Sequence, residues 1–79
     1  MEVTVTLYAT LTRYHPEGKK NEAFTVEVPE GTTVKDLLDK LGIKENEAKQ
    51  VFIKHKSRPE DYHLEDGEKV AIFPPVGGG

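Results

Sequence analysis

Few side chains in this 79-residue chain could do chemistry, and none stands in a recognisable reactive pattern. His15, His55 and His63 are not three or four residues apart, and no carboxylate sits at a metal-ligand spacing from them. No metal site is expected, and each histidine reads as a surface residue. Ser57 is the only serine and lacks the Gly-x-Ser-x-Gly elbow of a hydrolase. The absence of cysteine removes thiolate nucleophiles, disulfides and thiolate metal sites. Glu65-Asp66 precedes Gly67 at a turn, where solvation accounts for the charges. Lys54-His55-Lys56 with Arg58 reads as a solvated strand end, or as a docking patch for an acidic partner surface.

What remains is the run Phe73-Pro74-Pro75-Val76-Gly77-Gly78-Gly79. Pro74 and Pro75 fix φ and remove two backbone donors, so a strand through Phe73 must end there. The three glycines lose the most conformational entropy on ordering and have no side chain to pack. Residues 74–76 therefore read as a stiff stem, and residues 77–79 as a flexible thread that ends in a carboxylate. Only backbone would have to fit a partner's narrow channel. The α-carboxylate of Gly79, with an ordinary pKa of about 3.3–3.7, is ionised at neutral pH and is a poor electrophile. An ATP-dependent adenylating enzyme would overcome this by forming an acyl-adenylate with AMP as leaving group. A sulfur donor would then yield a terminal thiocarboxylate, and a lysine amine would yield an isopeptide.

The rest of the chain must hold that terminus. Its length suits one domain over residues 1–76, burying about 60–65% of the surface exposed on unfolding. Such a size leaves little room for a deep catalytic cleft. Residues 1–20 contain no apolar signal-type core, and no run of about 20 apolar residues suggests a membrane span. A net charge of −3 argues against general nucleic-acid binding. These features, with the lack of cysteine, suit a cytoplasmic domain without membrane or nucleic-acid partners.

Residues 2–8 alternate, with Val3, Val5 and Leu7 on one face and Thr4, Thr6 and Tyr8 on the other, as in a half-buried strand. A short helical turn is expected over 9–14, then a polar loop. Residues 23–28 alternate again, with Phe24, Val26 and Val28 inward, and pair antiparallel with the first strand. Thr33 and Asp36 fit a capping box, and Val34, Leu37, Leu38 and Leu41 form one helical stripe stopped by Gly42. Residues 43–50 read as a polar stretch with a short helical turn. Val51-Phe52-Ile53-Lys54 reads as a strand with Phe52 outward, and 56–62 as an irregular connection. Leu64 is a buried anchor before a tight turn. The last strand runs over 68–73, with Val70 and Ile72 inward and Ala71 and Phe73 outward. The order specifies an α+β chain: a β-grasp, ubiquitin-like fold with a mixed four- to five-stranded sheet crossed by one main helix. A right-handed crossover places the last strand centrally, parallel to the first.

Four stretches resemble the ubiquitin-like sulfur carriers, most closely the small subunits of molybdopterin synthase. They are residues 5–11, residues 29–34 with Asp36-Leu37-Leu38, residues 64–70, and the tail from Phe73 to Gly79. The resemblance implies a functional diglycine at Gly78 and Gly79, with Gly79 adenylated and then thiocarboxylated. Phe52 and Phe73, both outward in their strands, read either as partly buried edge aromatics or as an exposed apolar patch that buries against a partner. By the resemblance, Phe73, Pro74, Pro75, Val76 and Gly77 would guide the tail into a partner's active site. It implies no cofactor bound by the chain itself, which would not be catalytic alone. ATP and Mg would be used by a ubiquitin-activating-type adenylating enzyme. A sulfur donor and a large synthase subunit complete the partners, and the product would be a pterin dithiolene for a molybdenum or tungsten cofactor. Thiamine thiazole synthesis, protein modification through lysines, and an inert interaction module stay open beside this reading. Phe73→Ala is expected to weaken partner binding with little change in melting temperature.

Overall fold

β1 (Glu2–Leu7) buries Val3, Val5 and Leu7 and leaves Thr4 and Thr6 half-buried on the other face. That alternation is the pleat written in β-branched residues. The computed structural model describes residues 1–44, 46–48 and 50–75. β2 (Phe24–Glu27) pairs antiparallel with β1, Val3 opposite Val26 and Val5 opposite Phe24. Between them a 3₁₀ turn, Ala9–Tyr14, adds Leu11 to the core.

The helix α1 (Val34–Leu41) starts at a complete capping box. The Asp36 amide donates to Thr33 Oγ1 at 3.2 Å, and the Thr33 amide donates to Asp36 Oδ2 at 3.1 Å. Two free donors of the first turn are thereby satisfied. Gly42 ends the helix at φ 81°, left-handed backbone that costs glycine little, and its amide returns to the carbonyls of Leu38 and Asp39. Val34, Leu37 and Leu38 are buried, while Leu41 is only half-buried. They join the inward side chains of the sheet in one hydrophobic cluster.

β5 (Lys69–Phe73) runs through the middle of the sheet. It is parallel to β1, Val5 opposite Val70 and Leu7 opposite Ile72. It is antiparallel to β3 (Gln50–Ile53), with Val51 opposite Ile72 and Ile53 opposite Val70. A two-residue strand, β4 (Lys56–Ser57), closes the edge beside β3. The order β2-β1-β5-β3-β4 is the β-grasp arrangement. β4 falls where the sequence read as irregular, because two residues carry no periodicity. Its hairpin is made by Lys54 and His55, both with positive φ (55° and 66°), the geometry of a tight turn that usually takes Asn-Gly.

Two further expectations are corrected. His15 is buried, not a surface residue: its ring meets Phe24 edge-on at 4.8 Å, and its Nδ1 accepts from the Glu17 amide at 2.9 Å. Phe24, read as inward, is half-buried and packs against the core as expected. Ile43, in a stretch that read as polar, is buried against the helix end, where its amide donates to the Leu38 carbonyl at 2.9 Å.

Candidate partner-binding face and tail stem

With the inner face of the sheet filled by the core, the outward residues of three strands form a second surface. The registers set Phe52 on β3 and Thr6 on β1 on either side of Ala71 on β5. Phe73 stands two residues further along the same face. Tyr8 follows the end of β1, and its amide donates to the Ile72 carbonyl at 3.2 Å. The Tyr8 and Phe73 rings stack with centroids 4.5 Å apart and planes 2° from parallel. Phe52 meets Phe73 edge-on, 5.6 Å between centroids and 83° between planes. Both geometries suit aromatic quadrupoles.

These rings and the small Ala71 make an open trough, bordered by Lys54, Lys69, Glu65 and Asp66. Its aromatic end is where the strand becomes the stem, with Pro74 half-buried and Pro75 exposed. The remaining tail residues assigned a role from sequence, Val76, Gly77, Gly78 and Gly79, lie outside the described residues. A half-buried aromatic cluster at the root of a polar-poor stem can bury against another protein and leave the chain beyond it to reach a reaction centre.

At the opposite end of the trough the charges are partnered. Glu68, buried to 7% exposure, accepts from the Tyr62 hydroxyl at 2.8 Å and from the Glu65 amide at 2.8 Å. The hydrogen bond to this carboxylate raises the Tyr62 phenol above its ordinary value, since an ionised Tyr62 would lose it and face a like charge. Lys54 Nζ lies 3.8 Å from Glu65 Oε1 and 4.0 Å from Glu68 Oε2. Arg58 Nε donates to the Ile53 carbonyl at 3.1 Å, with its guanidinium 5.0 Å from the Tyr62 ring centre. Two of the four residues read as a docking patch, Lys54 and Arg58, thus have partners within the chain.

The sequence model of the ThiS family matches residues 5–79, nearly the whole chain and the tail with it. The chain belongs to the ThiS family of ubiquitin-like sulfur carriers. Solved structures agree with the fold. SAMP1 from Haloferax volcanii is 21% identical, with all of both chains covered and a TM-score of 0.73. A protein described as molybdopterin converting factor subunit 1 from Pyrococcus furiosus is 24% identical over 96% of this chain and 99% of that one, also with a TM-score of 0.73. A chain of the complex of molybdopterin-converting factor subunits 1 and 2 from Helicobacter pylori is 22% identical, with full coverage of both chains and a TM-score of 0.63. No curated protein matches the chain by sequence.

In this ThiS-family chain the structure brings Phe52, Phe73 and Pro74 to one end of the outer face. It adds Tyr8 and Ala71, which sequence reasoning had placed outward without a role. The outward alternation of each strand was visible; the register that joins them was not. His55 and His63 are exposed: His55 lies in the β3–β4 turn, and His63 Nδ1 lies 3.2 Å from the Gly31 carbonyl. Among the described residues no group of three or more His, Asp or Glu could hold a metal ion. No helix among them is long and apolar enough to cross a membrane.

Proposed function

We propose that this ThiS-family chain carries sulfur on the Gly79 carboxylate and delivers it to a pterin precursor in molybdenum or tungsten cofactor synthesis. The carboxylate attacks the α-phosphorus of ATP on an activating enzyme and releases pyrophosphate. Hydrosulfide, or a persulfide with a reductant, then attacks the acyl carbon and expels AMP, leaving a thiocarboxylate. In a larger partner subunit the thiocarboxylate sulfur attacks an electrophilic carbon of the precursor and displaces an oxygen leaving group from it. Water then cleaves the acyl–sulfur bond, leaving the sulfur on the precursor as a thiol and regenerating the Gly79 carboxylate. The chain's own part is to dock and to aim. Tyr8, Phe52 and Phe73 supply apolar contact, Pro74 and Pro75 the stem, and Gly77–Gly79 the narrow thread.

One observation carries the reading: the family match runs through the tail to Gly79. The pterin branch draws support from the Pro74-Pro75 stem and from the fold likeness to a molybdopterin converting factor subunit 1. A large-subunit partner is supported by the Helicobacter pylori complex of subunits 1 and 2. The second reading, a modifier joined through Gly79 to lysines, is favoured by the equally good fold likeness to SAMP1.

Intact mass after incubation with MgATP, sulfide and the source cell's adenylating enzyme tests the proposal, with a Gly78-Gly79 deletion as control. A gain matching one oxygen replaced by one sulfur, absent from the deletion, is expected. An unchanged mass with an enzyme proven active on another carrier refutes it, and adducts on target lysines in cell extract favour the modifier. Restoration of a strain lacking either the molybdopterin or the thiazole carrier assigns the pathway.

A further inference from the structure

The parallel ladder between β1 and β5 stops one residue short of the stem. Its last pair is Leu7 with Ile72, and its last rung is the Tyr8 amide to the Ile72 carbonyl. Phe73 is still paired with Gln50 on the β3 side. On the β1 side backbone pairing ends, since the next rung of this parallel ladder would need an N–H from Pro74, which has none. Just beyond Tyr8, Ala9 holds a left-handed φ of 53° without being glycine. That conformation costs a non-glycine residue on the order of 1 kcal/mol and persists only where the surroundings impose it. What it leaves behind is the Tyr8 ring, flat against Phe73. Beyond Phe73, Pro74 and Pro75 have no N–H with which to extend either ladder. The direction in which the stem leaves the sheet therefore depends on how firmly Phe73 is held.

We infer that Tyr8 is a positioning residue: its ring replaces the missing backbone rung, clamps Phe73 against Phe52, and so aims the stem at the reaction centre of a partner. Ala9 turns the chain away so that the ring can lie there. The inference rests on the carrier reading and assigns to Tyr8 a role that is separate from adding contact area. A contact residue contributes to partner affinity. A clamp contributes to the fraction of bound complexes in which Gly79 reaches the reacting atoms, and so to kcat.

The test is steady-state adenylation of Gly79 in the full chain by its activating enzyme, comparing wild type with Tyr8→Phe, Tyr8→Leu and Tyr8→Ala. Tyr8→Phe keeps the flat ring; Tyr8→Leu keeps apolar contact without a stacking plane. The energy of one aromatic stack corresponds to about a three- to tenfold loss of kcat for Tyr8→Leu and Tyr8→Ala, with KM changed less and Tyr8→Phe close to wild type. Loss confined to KM, or Tyr8→Leu equal to wild type, overturns the inference. Nitrogen relaxation of the Phe73 amide in the free chain reads the clamp without any enzyme. Its order parameter should fall in Tyr8→Leu and stay high in Tyr8→Phe; an unchanged value in Tyr8→Leu refutes the clamp. A wild-type chain that is not adenylated refutes the carrier reading, and the relaxation measurement still decides the clamp.

Discussion

Ile72 and Phe73 are adjacent on β5 but face opposite ways, so they separate stability from docking. Ile72 is fully buried, paired across the sheet with Leu7 on one side and Val51 on the other. Replacing it with Val removes one methylene from a packed core and costs about 0.5–1.5 kcal/mol. Phe73→Ala removes two aromatic pairs, with Tyr8 and with Phe52. At about 0.5–1.5 kcal/mol per pair, its cost is about 1–3 kcal/mol. The near-neutral melting temperature expected from sequence is therefore revised, because Phe73 is held inside a cluster rather than standing alone. Each kcal/mol corresponds to a fall of about 4–8 °C for a domain of this size. Both variants should lower the chemical-denaturation midpoint with unchanged slope, Phe73→Ala by as much as Ile72→Val or more, so binding is compared under conditions where both are folded. Calorimetric titration into the larger partner subunit should then part them: Ile72→Val binds as wild type, and Phe73→Ala binds at least tenfold more weakly, as an aromatic hot spot predicts. Equal binding by the two folded variants would refute the outer aromatic face as the docking surface.

The helix cap offers a second test. Thr33→Ala should cost about 1 kcal/mol in denaturant, and an unchanged midpoint would show that the capping box adds nothing in solution. Hydrogen bonds from the Thr33 amide and then its hydroxyl lower the Asp36 carboxyl below its ordinary 3.8. Because the folded value is depressed, its contribution is complete above the unfolded value and disappears as pH falls below 3.8 through the folded one. Asp36→Asn should flatten that acid limb of stability against pH, and identical limbs would contradict the assignment. For Tyr62 the sign reverses: a phenol raised by Glu68 contributes stability that is present below 10.0 and lost as pH rises through the folded value. Glu68→Gln should bring the Tyr62 titration, followed by ultraviolet absorbance, back toward 10.0. Leu38→Asp places an unpaired charge in the core at a site only 4% exposed and should abolish cooperative unfolding; a native circular dichroism spectrum would refute the burial.

Local rules settled much of this protein. Thr33, Asp36 and Gly42 mark the ends of α1 through hydrogen bonds that span a few residues, so the helix is legible without its surroundings. Alternation in β1 and β5 told inward from outward side chains, since a pleat repeats every two residues. Pro74 and Pro75 ended the last strand by covalent geometry alone, and the crossover rule put that strand beside β1. Other features required contacts far apart in the chain. Burial of His15 depends on Phe24, and the satisfied carboxylate of Glu68 depends on Tyr62. β4 exists only because a tight turn folds it against β3. The aromatic clamp is the clearest case: Tyr8, Phe52 and Phe73 carried no shared signal, being separated by 44 and 21 residues. Their outward direction was local information, but their meeting was decided by parallel and antiparallel register, which the packing of the whole core imposes.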